Sequence, residues 1–186
     1  MISRLERSGL CYYFVMLSIL NWLVSFVTFP GVVFHEWAHK TFCQLSGVRV
    51  FKVIYFRFGN PAGFVSHEEP RYYFQNFWIS VGPLVINSLV SVLFTSFALR
   101  LASNPKLSLA LLWLAVSAGM HAFPSNHDMR HISYASRSAL GRGGSWLHYL
   151  SFPFVGLVIL ANELKFFWFD FVYALLLIAL GIGLTR

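Results

Sequence analysis

From Phe74 to Leu101 the chain carries one charged residue, Arg100, at the very end of the run. A bilayer's hydrocarbon core is crossed by about 20 consecutive apolar residues, so this stretch is long enough to span it. Further apolar runs lie at Leu10 to Phe29, Leu107 to Phe123, Trp146 to Leu160 and Phe166 to Leu184. Turn-forming clusters separate them: Pro30-Gly31, Ser103-Asn104-Pro105-Lys106 and Asn162-Glu163-Leu164-Lys165. Across all 186 residues, 57% are hydrophobic and 11% charged. Soluble domains average roughly 25% charged residues. A soluble fold of this length cannot hide so much apolar surface, so lipid must be part of the solvent. The expected architecture is an all-α polytopic integral membrane protein. It is a single domain over residues 1–186, with about six membrane helices, one of them short, and a small β-hairpin after the short one.

The net charge is +7, with basic residues scattered through the loops. No basic stripe or module for nucleic acid accompanies them, so nucleic acid is not an expected partner. The excess fits the positive-inside bias of membrane proteins and attraction to anionic headgroups of the lipid bilayer. Cys11 and Cys43 are isolated in apolar runs and read as free thiols. Arg4 and Arg7 before an apolar stretch resemble a signal peptide, but that stretch is too long for one and lacks a clear small-x-small cleavage site. It reads as a retained membrane helix.

Val32 to Ser46 predicts a second helix, closed by Gly47 as its C-terminal cap. It is shorter than the ~20 residues of a full crossing, so it either spans with help from neighbours or re-enters. Val48 to Phe58 and Phe64 to His67 predict a small β-hairpin at the membrane surface, bearing Arg49, Lys52 and Arg57. The cluster from Gly59 to Gly63 forms its turn. Gly82-Pro83 is expected to interrupt the long span. Pro124 to Gly144 reads as a polar loop with room for a short amphipathic helix. That loop holds Arg130, Arg137 and Arg142 against Asp128 alone, so it is expected to face the cytoplasm. The basic N-terminus prefers the same side, which requires an even number of crossings before residue 124.

The second helix contains His35-Glu36-Trp37-Ala38-His39, an H-E-x-x-H pentapeptide. A spacing of four puts both imidazoles on one helical face, close enough to grip one metal ion. Glu36 follows the first ligand and is placed to act as a base. A solvated helix end at the interface would also tolerate these residues, but two His and a Glu in an apolar helix point to function. A hydrolytic zinc takes three protein ligands and keeps one position open. Cys43 continues the His stripe, yet eight residues of helix span about 12 Å, too far for the same ion. The third ligand is therefore sought among His67, His121, His127, Asp128 and His131.

The order of these features resembles the site-2 protease class of intramembrane zinc metalloproteases, over roughly residues 30 to 130. An H-E-x-x-H helix comes first, then a hairpin. A span with Gly-Pro and a downstream Asn follows, and then an Asp beyond a Phe-Pro pair. The resemblance implies one Zn2+ per chain held by His35, His39 and Asp128, with Glu36 as catalytic base. Gly82, Pro83 and Asn87 would lend structural support or help hold the substrate. Ser125-Asn126-His127 separate Phe123-Pro124 from Asp128, which marks a divergent, minimal branch. The implied activity is hydrolysis of a peptide bond in a transmembrane or membrane-associated protein, with the active site toward the cytoplasmic side. The hairpin edge, including Phe64 to His67, is a place where an unwound substrate could pair as an added strand. Two rival classes remain. His127 and His131 form an H-x-x-x-H box like those of di-iron membrane desaturases and hydroxylases, though the chain has seven His and no His-His doublet. A non-catalytic membrane scaffold of the same fold is the other.

Overall fold

A computed structural model describes residues 20, 22–141, 146–164 and 168–185. Most of the expected span from Leu10 to Phe29 lies outside the described residues, as do Arg4, Arg7, Cys11 and Arg142. Among the described residues the chain is mostly helical, with one two-stranded sheet. In order come α1 (residues 22–27), α2 (Phe29–Leu45), β1 (Val50–Ile54), β2 (Phe64–His67) and α3 (Tyr73–Arg100). Then follow α4 (Pro105–Met120), α5 (Asn126–Gly141), α6 (Trp146–Glu163) and α7 (Phe169–Gly183).

The helix boundaries follow local chemistry. Pro30 sits in the first turn of α2, where a missing N–H costs nothing. Gly47 ends α2 with φ +69°, a conformation that suits glycine. There the Val48 N–H donates to Cys43 O at 2.8 Å and the Gly47 N–H to Gln44 O at 3.1 Å. Asn104 caps α4 by accepting the Leu107 N–H at 3.3 Å, with Pro105 next in line. Gln75 joins two elements: its Oε1 accepts the Tyr72 N–H at the start of α3, and its Nε2 donates to Ser46 O at the end of α2.

α3 is the central element, packed against α2, α4, α5 and α7. It runs unbroken through Gly82-Pro83 for 28 residues, so the expected interruption is not there. α2 runs antiparallel to it, with Phe42 against Gly82 and Phe34 against Phe94. α4 is antiparallel to α3 as well, and α7 runs alongside in the same direction, with Ser88 bonded to Tyr173 and Gly181 against Thr95. β1 and β2 pair antiparallel, with Lys52 opposite Ser66 and Ile54 opposite Phe64. The hairpin lies along α2 rather than across its end. Lys40 Nζ donates to the Tyr55 hydroxyl at 3.3 Å, while Phe56 meets Phe29 and Phe58 meets Phe26.

The segment from 124 on is more ordered than a loop. Residues 126–141 form a 16-residue amphipathic helix, α5. Its Met129 and Ile132 are buried with Val81 of α3 and with Val155 and Val158 of α6. His127, Arg130, His131, Tyr134 and Arg137 are on its exposed side.

Of the described helices, α3 alone is both long and apolar enough to cross a membrane; α4, α7 and residues 151–161 of α6 are shorter apolar helices. At 1.5 Å per residue, the 16 residues of α4 reach only about 24 Å. Large apolar side chains nonetheless lie on the outside of these helices, and several polar ones lie inside. Leu89, Leu93 and Phe97 of α3, Leu109 of α4, and Leu176 and Leu180 of α7 are exposed. Asn87, Ser91, Thr95 and Ser117 are fully buried.

Candidate metal centre

His35 and His39 project from one face of α2, as their spacing requires. Their Nε2 atoms are 3.1 Å apart. Asp128 in the first turn of α5 brings Oδ2 to 3.4 Å from His39 Nε2. His35, His39 and Asp128 form a group whose potential ligand atoms all lie within 4.8 Å of one another, and this group could hold a metal ion. The two imidazoles are 9% and 6% exposed, Glu36 between them is 7% exposed, and the Asp128 side chain is 18% exposed.

The far side of each ring explains why these three atoms converge. His35 Nδ1 is 2.7 Å from the carbonyl of His121, and His39 Nδ1 is 2.9 Å from the carbonyl of Ile79. A carbonyl only accepts, so each Nδ1 carries a hydrogen, and in the neutral form that a metal requires each ring turns its Nε2 lone pair inward. Two lone pairs and a carboxylate oxygen therefore face a common point. One proton on one ring satisfies a single pair of these contacts; a divalent ion satisfies all three. Zinc binds His nitrogen at 2.0–2.1 Å, and tetrahedral geometry then sets its ligand atoms about 3.3 Å apart. Two of the separations, 3.1 and 3.4 Å, are close to that value, and all three ligand atoms lie within 4.8 Å of one another. Outer-sphere carbonyls that fix the ligand tautomer are a general feature of metal-binding histidines.

The His121 carbonyl lies just past the last turn of α4. It also accepts from Asn87 Nδ2 at 2.9 Å, and the same amide donates to Gly31 O at 3.2 Å. Asn87 thus ties α2 to the end of α4 from its buried place on α3. The His121 ring turns the other way, with Nε2 2.8 Å from Thr28 Oγ1.

Asp128 also belongs to a helix cap. Its Oδ2 accepts the Ser125 N–H at 2.9 Å and the Ser125 hydroxyl at 2.6 Å, while the Asp128 N–H donates to Ser125 Oγ at 3.3 Å. This reciprocal pairing is a capping box at the start of α5. Burial by itself would raise the Asp128 carboxyl, but the adjacent His39 and His35 rings and the Ser125 hydroxyl hold it below the usual carboxylate range. It stays ionised, as a metal ligand must.

Several residues named from sequence fall elsewhere. His67 lies on β2 with Nδ1 2.7 Å from Glu68 O, outside the group. His127 and His131 pair on the exposed face of α5, ring centroids 4.5 Å apart, and are also outside it. His121 serves through its backbone. Cys43 is buried with Val48 and Ile79, in keeping with a packing role. Gly82 lets the Phe42 ring lie directly on α3, where a Cβ would collide with it.

Three contributors were missed from sequence. Gly63, at the start of β2, approaches Glu36 so closely that a Cβ there would be 2.6 Å from Glu36 Cγ. Ser125 anchors Asp128, and its S-x-x-D spacing was a readable signal. The Ile79 carbonyl holds His39, and it stands four residues before a proline.

No protein-family model, curated protein or solved structure matches the chain.

Proposed function

We propose that the protein is an intramembrane zinc metalloendopeptidase of the site-2 protease type, cutting a transmembrane or membrane-associated protein. One observation carries this reading. Two imidazole Nε2 atoms and a carboxylate oxygen converge within 4.8 Å of one another, beside a buried Glu on the same helix as the two His. The donor set of two nitrogens and one carboxylate oxygen is that of hydrolytic zinc sites.

When bound, zinc supplies Lewis acidity that acidifies water and polarises the scissile carbonyl. The side chains supply the rest. His35, His39 and Asp128 hold the ion, each oriented by a partner of its own: the His121 carbonyl, the Ile79 carbonyl and Ser125. Glu36 takes the proton of the attacking water and delivers it to the departing amine nitrogen. Gly63 leaves room for that carboxylate beneath the hairpin. A substrate helix must unwind to expose its peptide bond, and unpaired backbone is costly in lipid. The edge of the two-stranded sheet among the described residues offers such a segment hydrogen bonds near Glu36.

The apolar exterior supports a multi-pass membrane protein, with α3 long enough to be a full span and the shorter apolar helices α4 and α7 packed against it. The di-iron alternative calls for a second metal group. Among the described residues, His35, His39 and Asp128 form the one group of three or more suitable ligands.

The test combines metal analysis with cleavage. Protein purified in detergent should carry one zinc per chain and, in proteoliposomes, cut a reporter with a helix-destabilised transmembrane segment. Two irons per chain would revive the oxygenase reading. Zinc without cleavage of any membrane reporter would leave a scaffold.

A further inference from the structure

We propose that Pro83 is a positioning residue for the metal centre: it leaves the Ile79 carbonyl of α3 to His39. The inference rests on the metal reading given above and adds to it a reason for the proline. In an unbroken α-helix each carbonyl accepts the N–H four residues on. For Ile79 that partner is residue 83, and proline has no N–H. α3 continues through this point, so the Ile79 carbonyl stays in a helix yet lacks its internal donor. Ile79 is 3% exposed, so water is a poor substitute. His39 Nδ1 reaches across from α2 to 2.9 Å and supplies the missing hydrogen.

Gly82 and Pro83 act in sequence. The bare Cα of Gly82 admits Phe42, three residues beyond His39, directly onto α3. That contact brings α2 close, and the adjacent proline frees the carbonyl that His39 then finds. The result is a fixed tautomer, Nδ1–H with Nε2 bare, and a fixed ring plane. An N–H at position 83 would not abolish the contact, since a carbonyl has two lone pairs. It would draw the carbonyl toward the helix axis and compete with His39. Loss of such an outer-sphere partner costs metal affinity by about 10–100-fold.

The experiment uses the full chain in detergent micelles. Zinc dissociation constants are measured by chelator competition for wild type, Pro83→Ala and Pro153→Ala. Pro153 lies inside α6 and serves as the control for removing a helix proline. The metal-free proteins are also examined, at a pH high enough for the ring to be neutral, by long-range 1H–15N correlation of the His39 imidazole. Wild type should show the Nδ1–H tautomer. Pro83→Ala should bind zinc 10–100-fold more weakly and show mixed tautomers, while Pro153→Ala matches wild type. Thermal stability should not follow zinc affinity, because alanine is the better helix former. Wild-type zinc affinity in Pro83→Ala overturns the proposal. So does an Nε2–H tautomer in the wild-type protein, a result that needs no variant to fold. Failure of wild type to bind zinc while His39 keeps its Nδ1–H would instead sink the protease reading and leave the tautomer test standing.

Discussion

Asp128 serves two structures with one carboxylate. It closes the capping box of α5 with Ser125 and faces His39 across the centre. The two roles separate by substitution. Ser125→Ala should loosen the first turn of α5 by about 1 kcal/mol and weaken zinc binding without abolishing it, as loss of an outer-sphere partner does. Asp128→Asn should keep an acceptor for the cap but lose the charged ligand, so zinc content should fall sharply with little change in melting temperature. His127→Ala and His131→Ala should retain metal and activity, since both rings lie outside the group. A zinc-free His127→Ala beside an active Asp128→Asn would reassign the third ligand. Glu36 makes a different prediction, because it is assigned chemistry and no metal. Glu36→Gln fills the same volume, and should bind zinc as wild type does while cleavage drops by about 10²- to 10⁴-fold. Cleavage at the wild-type rate would remove Glu36 from the mechanism.

At the scale of elements, close approach governs the site. Gly82 against Phe42, and Gly63 against Glu36, leave no room for a methyl group. Neither has a positive φ, so the constraint is space rather than backbone conformation. Gly82→Ala should push α2 off α3 and cost about 1–3 kcal/mol as overpacking, read as a lower melting temperature. Gly63→Ala displaces the hairpin or Glu36, and should cut cleavage more than it lowers zinc content. Equal loss of both would place Gly63 in the fold rather than over the base. These contacts also show what sequence could and could not reveal. The i,i+4 spacing of His35 and His39, the cap at Gly47 and the second hairpin strand were legible, because each is set by neighbours in the chain, whereas the first strand is Val50–Ile54 and stops short of the expected Phe58. The helix at 126–141 was harder to see, since it buries few large apolar residues and its polar face dominates the composition. The placement of the hairpin along α2 depends on Phe26 and Phe29 meeting Phe58 and Phe56, a tertiary contact with no local signature. Ile79 was invisible as a functional residue because it acts through a backbone atom that every residue possesses.

The whole molecule carries its charge unevenly along α3. Helix α3 rises about 42 Å over its 28 residues, more than the ~30 Å of a hydrocarbon core. The candidate metal site lies near its N-terminal end: Ile79, whose carbonyl meets His39, is six residues, or about 9 Å, from Tyr73. α5 packs on Val81 at this end, so Arg130 and Arg137 gather there with Arg71 at the foot of α3. At the opposite end, Arg100 and Lys106 flank the turn between α3 and α4, where Ser108 Oγ donates to Ala98 O at 3.0 Å. The larger basic cluster should face the cytoplasm by the positive-inside bias, taking the centre with it. Two single-cysteine variants test this in a background with Cys11 and Cys43 replaced. Tyr134→Cys reports the α5 side, where the residue is 79% exposed, and Ser103→Cys reports the far turn. In intact cells, an impermeant maleimide should label Ser103→Cys and leave Tyr134→Cys untouched until the membrane is opened. The reverse pattern would keep α3 as a span but put hydrolysis on the outer side, with substrates entering from there. Equal labelling of both would mean that α3 does not cross. The exposed leucines of α3, α4 and α7 would then need a protein partner rather than lipid to cover them, and the intramembrane part of the proposed function would fall while the metal chemistry stood.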